Sequence, residues 1–206
     1  MGSQSILEVN MATALIVVDV QNDFCEGGAL AVAGGTEVAE AVSTYLRRGA
    51  SDSGTTYDHV VATRDYHIDP GEHFSDNPDF VRSWPRHCVA DTPGASFHPR
   101  LDITPITAVF SKGHYSHGYS GFEGKTDTGE QLVDWLTDRN VTKVDVVGIA
   151  TDHCVRATAL DAKRHGLEVR VLADLTAGVS KSTVDKALSE LREAGVTVVG
   201  TPKVAS

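Results

Sequence analysis

The sequence predicts an α/β fold, a three-layer α/β/α sandwich around a six-stranded parallel sheet with strand order 3-2-1-4-5-6. Three observations predict it: short apolar runs alternate with segments of helical periodicity, no internal sequence repeat is present, and polar residues follow the strands. The first strand is expected at 14–20, where a β-branched run is broken only by Asp19, and the first helix at 36–47.

The rest of the chain continues this alternation. Strand two is expected at 59–63. The stretch 66–101 that follows has little periodicity but several histidines and aromatic residues, which favours a ligand-bearing loop over a disordered one. The remaining expected elements are strand three at 107–110, a helix at 129–139, strand four at 143–150, a helix ending at His165, strand five at 168–175, a helix from Ser180 or Lys181 to Ala194, and strand six at 196–199.

The composition limits the function. The chain has 206 residues, of which 41% are hydrophobic and 22% charged, so one globular domain is expected over 12–206, with 1–11 as a disordered terminus or an expression scar. A formal net charge of −10 without any basic run argues against nucleic acid or an anionic membrane as partner and favours a small-molecule substrate. Three cysteines make no disulfide framework and no apolar run is long enough to span a bilayer, so a cytoplasmic location is expected.

Cys154 lies where strand four gives way to a helix, within the stretch 148–156. The first turn of a helix offers unpaired N–H groups and the positive end of the helix dipole, so a thiol there ionises more easily. The thiolate is the nucleophilic form of cysteine. On this segment alone, a buried cysteine that acts as a small hydrophobe is the alternative.

Three strand ends carry side chains that complement one another chemically. The strand order brings Asp19 beside Cys154, and Lys112 leaves strand three at the same edge of the sheet. A nearby ammonium lowers the pKa of a thiol, a carboxylate can accept its proton, and helix N–H groups can stabilise an oxyanion. Taken singly, Asp19 is compatible with a strand-end cap and Lys112 with a surface lysine. Their coincidence with the thiol favours a nucleophilic active site.

A second group of polar residues begins at the end of strand two. Its imidazole and carboxylate groups can converge on a divalent transition metal ion, because these ligands suit Zn, Fe, Mn or Co. A solvated histidine-rich loop is the alternative. His98 is a further histidine nearby, and ligation by Cys88 would instead favour a closed structural zinc site. The four members of the group are Asp65, His67, His73 and His87.

Aromatic residues in the loops could form the walls of a flat pocket, although packing within the loops is the alternative for each of them. They are Phe24, Trp84, Tyr115, Tyr119 and Phe122.

Together these motifs resemble the nicotinamidase/pyrazinamidase family of the isochorismatase-like cysteine hydrolase superfamily. The resemblance runs from about Ala14 to about Val199, and several spaced motifs agree in order and spacing. The metal motif separates nicotinamidases from metal-free relatives such as isochorismatase. The matching segments are 15–28, 62–74, 84–89, 110–113 and 147–155.

The resemblance implies a catalytic triad of Asp19, Lys112 and Cys154. It also implies an oxyanion hole formed by the backbone N–H groups of Ala150 and Cys154, with a cis bond between Ala150 and Thr151. The metal ligands that it implies are Asp65, His67, His73 and His87, with water completing the coordination sphere.

The resemblance further implies where the substrate lies. A pyridine ring is expected between Phe24 and Trp84, with its ring nitrogen facing the metal. His114 and His117 stand outside the ligand set of the family and are interpreted as surface residues. The other residues expected to line the pocket are Tyr119, Ile149 and His153.

The leading hypothesis is a metal-dependent cysteine amidohydrolase that converts nicotinamide to nicotinate and ammonia, and pyrazinamide to pyrazinoate. Zn and Fe are the expected ions, with Mn also compatible. One alternative is another superfamily member that acts on a different amide or on a vinyl ether. A second is a non-catalytic metal or thiol sensor, in which Cys154 and Cys88 respond to oxidation. A monomer or a small homo-oligomer is expected.

Overall fold

A parallel β-sheet runs through the computed structural model, which describes residues 11–49 and 57–205. Every pair of neighbouring strands in it is parallel, as the alternation of apolar runs and helices predicts. The strands are β1 (Ala12–Val18), β2 (His59–Asp65), β3 (Ala108–Lys112), β4 (Val141–Ile149), β5 (Glu168–Gly178), β6 (Thr197–Val199) and β7 (Lys203–Val204).

The order of the strands is β3-β2-β1-β4-β5-β6, which confirms the predicted order 3-2-1-4-5-6. The seventh strand, β7, was not predicted. It pairs with the last residues of β5, where Ala177 lies opposite Lys203. A strand of two residues is too short to show an alternation of apolar and polar positions, so the sequence pattern contains no signal for it.

Four α-helices of the described residues cover the two faces of the sheet. Alternate residues of β1 point to opposite faces: Ile16 and Val18 pack into one apolar core, and Leu15 and Val17 into the other. The first core includes the apolar faces of α2, α3 and α4, and the second includes that of α1, which confirms the three-layer sandwich. The helices are α1 (Gly35–Arg48), α2 (Leu132–Asp138), α3 (Arg156–Arg164) and α4 (Lys181–Glu193).

The junction between β4 and α3 is wider and more irregular than the predicted helix start. Residues Thr151–Val155 form a π-helical turn, in which the N–H of Val155 donates to the carbonyl of Ala150 at 3.1 Å. The cis bond expected between Ala150 and Thr151 lies one residue earlier, between Ile149 and Ala150. Isolated π turns within helices are frequent at functional sites.

Gly148 allows β1 and β4 to approach each other at this junction. Its φ is +118°, and a Cβ built there would lie 2.1 Å from the carbonyl oxygen of Val18. No residue with a side chain fits this position, so the glycine sets the path of the backbone into the turn that follows.

Residues 1–10, which make up most of the terminal segment predicted to be disordered, lie outside the described residues, as does the connection 50–56. The described helices include none that is both long enough and apolar enough to cross a membrane.

Candidate active site

The carboxyl ends of four neighbouring strands place the candidate catalytic residues together. Asp65 is the last residue of β2 and Lys112 the last of β3, and the two lie opposite each other in the strand register. Asp19 follows β1 directly with a φ of 49°, and Cys154 lies in the π turn after β4. In an open parallel sheet this edge, near the switch in strand order, is the usual place for a ligand site.

The Lys112 ammonium lies at the centre of the group. Its Nζ is 2.7 Å from Oδ2 of Asp19, 2.5 Å from Oδ1 of Asp65 and 3.7 Å from Sγ of Cys154. A third oxygen, the carbonyl of Gly118, accepts from it at 2.8 Å. The side chains of all four charged or thiol groups are buried. The structure therefore brings together the three residues predicted as a triad.

The protonation of this group follows from burial and from the shared ammonium. Burial raises the pKa of Asp19 above its ordinary value, although Lys112 opposes the shift. Burial opposes ionisation of Lys112 as well, but the carboxylates of Asp19 and Asp65 hold the pKa of its ammonium well above the usual range. Asp19 is therefore a stronger base than an exposed carboxylate, next to a lysine that stays charged.

Cys154 differs from the sequence-based prediction. Burial, followed by the neighbouring carboxylates, raises the pKa of its thiol well above the ordinary value, and Lys112 offsets only part of the shift. The prediction counted the ammonium as a partner of the thiol, but Lys112 forms its two shortest contacts with Asp19 and Asp65. The resting protein therefore holds a protonated thiol beside a base.

Two further polar residues hold the acidic residues in place, one through the carboxylate of Asp19 and one through the backbone of Asp65, and the sequence reasoning missed both. The hydroxyl of Thr63 donates to Oδ1 of Asp19 at 2.7 Å. The buried amide of Gln21 accepts from the N–H of Asp65 and donates to the carbonyl of the same residue, both at 2.8 Å, and it also donates to the carbonyl of Ala95 at 2.9 Å. A single threonine in a strand and a single glutamine after one carry no spacing signal; only their positions at strand ends could have indicated them.

A cluster of three imidazoles lies beside the triad. Nitrogen atoms of His67, His73 and His87 lie within 4.8 Å of one another, and all three side chains are buried. Oδ2 of Asp65 is 3.5 Å from Nε2 of His67 and 3.9 Å from Nε2 of His87. The structure thus brings the three predicted imidazole ligands together and places the fourth predicted ligand, Asp65, beside two of them, where it connects the cluster to Lys112.

The cluster has the chemistry of a metal site. Nε2 of His67 and Nδ1 of His73 are buried without a hydrogen-bond partner in the described part of the chain, an arrangement that is costly unless something binds them. The Nδ1 atoms of His67 and His87 lie 2.5 and 2.8 Å from the carbonyls of Gly113 and Pro85, which leaves the Nε2 atoms for a metal ion. The residues therefore fit a divalent transition ion.

His73 and His87 are also in the protonation state that a metal requires. Burial, followed by the charges of the other two imidazoles, lowers the pKa of His73 to about 3. Burial likewise lowers the pKa of His87. A metal ligand must be neutral, so at neutral pH no proton has to leave either ring before an ion binds.

The other candidate ligands lie elsewhere. His98 is half-buried, and its Nδ1 accepts the N–H of Arg100 at 3.2 Å. Cys88 is fully buried, its N–H donates to Oδ2 of Asp23 at 2.7 Å, and it does not belong to the imidazole cluster. His117 is exposed, in agreement with its interpretation as a surface residue, and His114 is half-buried.

A cavity of about 360 Å³ opens above both groups. Cys154 and Ala150 lie on its wall, as do His73, His87 and Asp65. Four of the five predicted pocket residues line it: Phe24, Trp84, Tyr119 and His153.

The fifth predicted pocket residue, Ile149, is fully buried in the core on the α1 side of the sheet and does not reach the cavity wall. Of the aromatic residues considered as walls, Tyr115 is exposed and Phe122 packs in the other core. The remaining wall residues are apolar side chains that the sequence reasoning missed: Leu30, Ala31, Val32, Phe80 and Val179.

The aromatic walls are held in a fixed arrangement. Nε1 of Trp84 donates to the hydroxyl of Tyr119 at 3.0 Å. The ring of His153 meets Trp84 edge-on at 5.2 Å and lies nearly parallel to Tyr119 at 6.1 Å. The cavity can therefore hold a flat, uncharged ring beside the thiol.

Comparisons with known proteins place the chain among enzymes. The isochorismatase domain family matches residues 13–203. The nicotinamidase/pyrazinamidase of Mycobacterium tuberculosis is 61% identical over 186 residues, which cover 90% of this chain and 97% of that protein. The crystal structure of the pyrazinamidase of Pyrococcus horikoshii in complex with zinc has a TM-score of 0.74 and 41% identity, and covers 91% of this chain and 98% of that one. The structure of PnC1 from L. infantum in complex with nicotinate has a TM-score of 0.77 and 34% identity, and covers 92% of each chain.

Proposed function

This chain belongs to the isochorismatase domain family, and on that premise we propose that it is an amide hydrolase that converts nicotinamide to nicotinate and ammonia, and pyrazinamide to pyrazinoate. One observation carries the proposal: the thiol of Cys154 lies beside Asp19 and Lys112, and Cys154 lines the same cavity as His73 and His87 of the imidazole cluster. The similarity to a nicotinamidase/pyrazinamidase and to a zinc-bound pyrazinamidase supports the same activity.

The reaction begins with the transfer of a proton from Cys154 to Asp19. The raised pKa of Asp19 makes its carboxylate a suitable acceptor for that proton. The ammonium of Lys112, whose Nζ is 3.7 Å from Sγ of Cys154, stabilises the thiolate that forms. The thiolate attacks the carboxamide carbon. When the tetrahedral intermediate collapses, Asp19 returns the proton to nitrogen, ammonia leaves, and an acyl thioester remains on Cys154.

The second half of the reaction uses the same residues. Asp19 accepts a proton from water, the hydroxide attacks the thioester, and the acid product leaves as the proton returns to sulfur. In both halves the backbone N–H groups of Ala150 and Cys154 are assigned to the developing oxyanion. Both residues lie on the cavity wall at the π turn, which supports this assignment.

The imidazole cluster is assigned to a resident metal ion. Asp65, His67, His73 and His87 would hold it, and Zn or Fe suits this ligand set best, with Mn also compatible. When bound, the ion supplies a Lewis acid for the ring nitrogen of the substrate. The aromatic side chains of Phe24 and Trp84 would hold the two faces of that ring.

The test is ammonia release from nicotinamide and from pyrazinamide by the purified protein. The parent protein is expected to turn over both amides, and Cys154→Ala to abolish turnover because no other group supplies the nucleophile. Cys25→Ala, a buried cysteine outside the cavity, is the matched control and keeps its activity. Turnover by Cys154→Ala at the parent rate would refute the mechanism.

A second measurement separates this function from the alternatives. The same sample is assayed before and after chelation, with elemental analysis of each fraction. A metal-free protein that keeps full activity would favour a relative acting on another amide or on a vinyl ether. A metal-binding protein that turns over neither amide would favour a sensor.

The cellular compartment and the partners of the enzyme are proposed from its free cysteines and from the chemistry of its cavity. The described cysteines are all free thiols, as is typical of a reducing compartment, and we place the protein in the cytoplasm. A small aromatic amide is its proposed partner, and it is proposed to act as a monomer or a small homo-oligomer without nucleic acid or membrane.

A further inference from the structure

A second pocket lies against the substrate cavity. Its volume is about 820 Å³, and it shares the side chains of His73 and Tyr119 with the cavity. About half of its wall is polar, a larger share than in the substrate cavity, and it carries two carboxylates, from Glu72 and Asp79, against one guanidinium, from Arg82. We call this the outer pocket.

The outer pocket contains a histidine that the proposed mechanism does not use. His117 is exposed, lines the pocket, and stacks on the ring of Tyr119 with centroids 5.2 Å apart and 22° between the planes. The centroid of its ring is 6.4 Å from that of His73. His73 itself is 6% exposed, and its Nδ1 has no hydrogen-bond partner in the described residues. An exposed imidazole thus lies next to a buried one of the metal cluster.

The substrate cavity offers a poor route for an ion. Most of its exposed wall is apolar and includes Phe24, Leu30, Phe80 and Val179. Along that apolar part of the wall a divalent cation would lose water without gaining oxygen or nitrogen ligands before it reached Asp65, His73 and His87, which line the same cavity. The outer pocket instead offers carboxylates and an imidazole along its walls.

We propose that the outer pocket is the entry and exit route of the metal ion, and that His117 binds the ion transiently before His73 receives it. This inference rests on the proposed metal site at His67, His73 and His87. The carboxylate of Glu72, the residue that precedes His73, attracts the hydrated ion to the pocket. His117 then replaces a water ligand with an imidazole nitrogen, so the ion approaches the buried cluster partly dehydrated.

A residue on a route affects rates, whereas a resident ligand affects the equilibrium. A transient ligand lowers the barrier equally for binding and release, so its loss slows both by the same factor and leaves the dissociation constant unchanged. Loss of a resident ligand weakens the equilibrium affinity instead. The two roles are therefore separable by measuring both rates.

The experiment follows metal exchange without any enzyme assay. Chelated protein is mixed with Co²⁺, whose visible absorption reports loading, and Zn²⁺-loaded protein is mixed with a chromophoric chelator that reports release. His117→Phe keeps an aromatic ring against Tyr119 but removes both nitrogens. We expect loading and release to slow together, each by about tenfold, with the dissociation constant preserved.

His114→Phe is the matched control, because His114 is a second histidine outside the proposed ligand set and does not line the outer pocket. It should exchange metal at the parent rate. Parent rates in His117→Phe would refute the route, and a weakened equilibrium affinity would show that His117 is a resident ligand instead. If the parent protein binds no metal, the proposed metal site itself is refuted, and the route with it.

Discussion

At the scale of the residue, Lys112 determines what the other side chains can do. Its buried ammonium forms ion pairs with the carboxylates of both Asp19 and Asp65, and so it joins the triad to the imidazole cluster. Asp19 faces the thiol, and Asp65 faces the imidazoles. Removal of one partner from such a buried group leaves an uncompensated charge, which makes the arrangement intolerant of substitution.

The hydroxyl of Thr63 contributes to the pKa of Asp19. Burial raises that pKa, and Lys112 and then the hydrogen bond from Thr63 oppose the rise. Thr63→Val removes that bond, so the pKa of Asp19 should rise further. Because the free enzyme needs Asp19 deprotonated, the acidic limb of the kcat/KM profile should move to higher pH. The measurement is ammonia release from nicotinamide as a function of pH.

Thr137→Val is the control for this prediction, since that hydroxyl donates to the carbonyl of Val133 on the exposed side of α2, away from the site. Its profile should coincide with that of the parent. An acidic limb that stays in place in Thr63→Val would mean that Asp19 does not control it.

At this scale the sequence predicted the residues that carry out the chemistry but not the residues that hold them in place. Side chains at strand ends and at regular spacing, such as Asp19 and His67, stand out in a sequence. Thr63 and Gln21 act through hydrogen bonds to partners more than forty positions away, and only the folded chain brings them into contact. The pKa of Cys154 is raised rather than lowered mainly because the thiol is buried, and then because two carboxylates lie nearby; spacing shows neither the burial nor the sharing of Lys112 with those carboxylates.

At the scale of the element, irregular turns define the site more than the regular helices and strands do. The π turn after β4 carries Cys154, and its position was predicted correctly from the change in periodicity. Its geometry was not predicted, because a π turn and the first turn of an α-helix have the same pattern of apolar residues. The strands β1 to β4 were predicted within two residues of each bound, since buried parallel strands are continuous apolar runs.

Glu26 caps the first turn of α1. Its two carboxylate oxygens accept the N–H groups of Gly34 at 2.6 Å and Thr36 at 2.8 Å. Partial burial would raise its pKa, but the hydrogen bonds from Thr36 and Gly34 lower it from 4.5 to about 2. Glu26→Gln should therefore lower the free energy of unfolding at neutral pH by about 1 kcal/mol, the size of a lost helix cap.

The effect of Glu26→Gln has a defined pH dependence. A carboxylate with a lowered folded-state pKa stabilises the fold fully above its unfolded-state pKa, and this stabilisation is lost as the pH falls towards the folded-state value. The difference between parent and variant should hold above pH 4.5, shrink below it, and disappear near pH 2. Urea unfolding at several pH values measures it, and a difference that does not vary with pH would contradict the cap.

At the scale of the whole molecule, the long segment between β2 and β3 supplies the imidazole cluster at the edge of the sheet. His67, His73 and His87 come from this segment, and Asp65 ends β2. A bound metal ion would therefore connect the segment to the sheet edge. The sequence predicted a ligand-bearing loop here, but the aperiodic backbone between the histidines gave no way to predict its path.

Metal should stabilise the whole fold. At a thousandfold excess over its dissociation constant, a ligand of the native state adds about 4 kcal/mol, which for a chain of this size raises the unfolding midpoint by roughly 10 °C. Scanning calorimetry with Zn²⁺ and with a chelator measures the shift. His73→Ala should remove most of it, whereas His98→Asn, outside the cluster, should retain it; equal shifts in both variants would argue against this ligand set.

The arrangement of Trp84 has an optical consequence. The chain has two tryptophans, and they lie in different surroundings: Trp84 forms a wall of the substrate cavity, and Trp135 packs in the core with the guanidinium of Arg139 at 3.9 Å from its ring. In a Trp135→Phe variant all indole fluorescence would come from the cavity wall. A stacked nicotinate ring should quench that emission, so the protein contains its own fluorescent reporter of occupancy, readable by titration without any added dye.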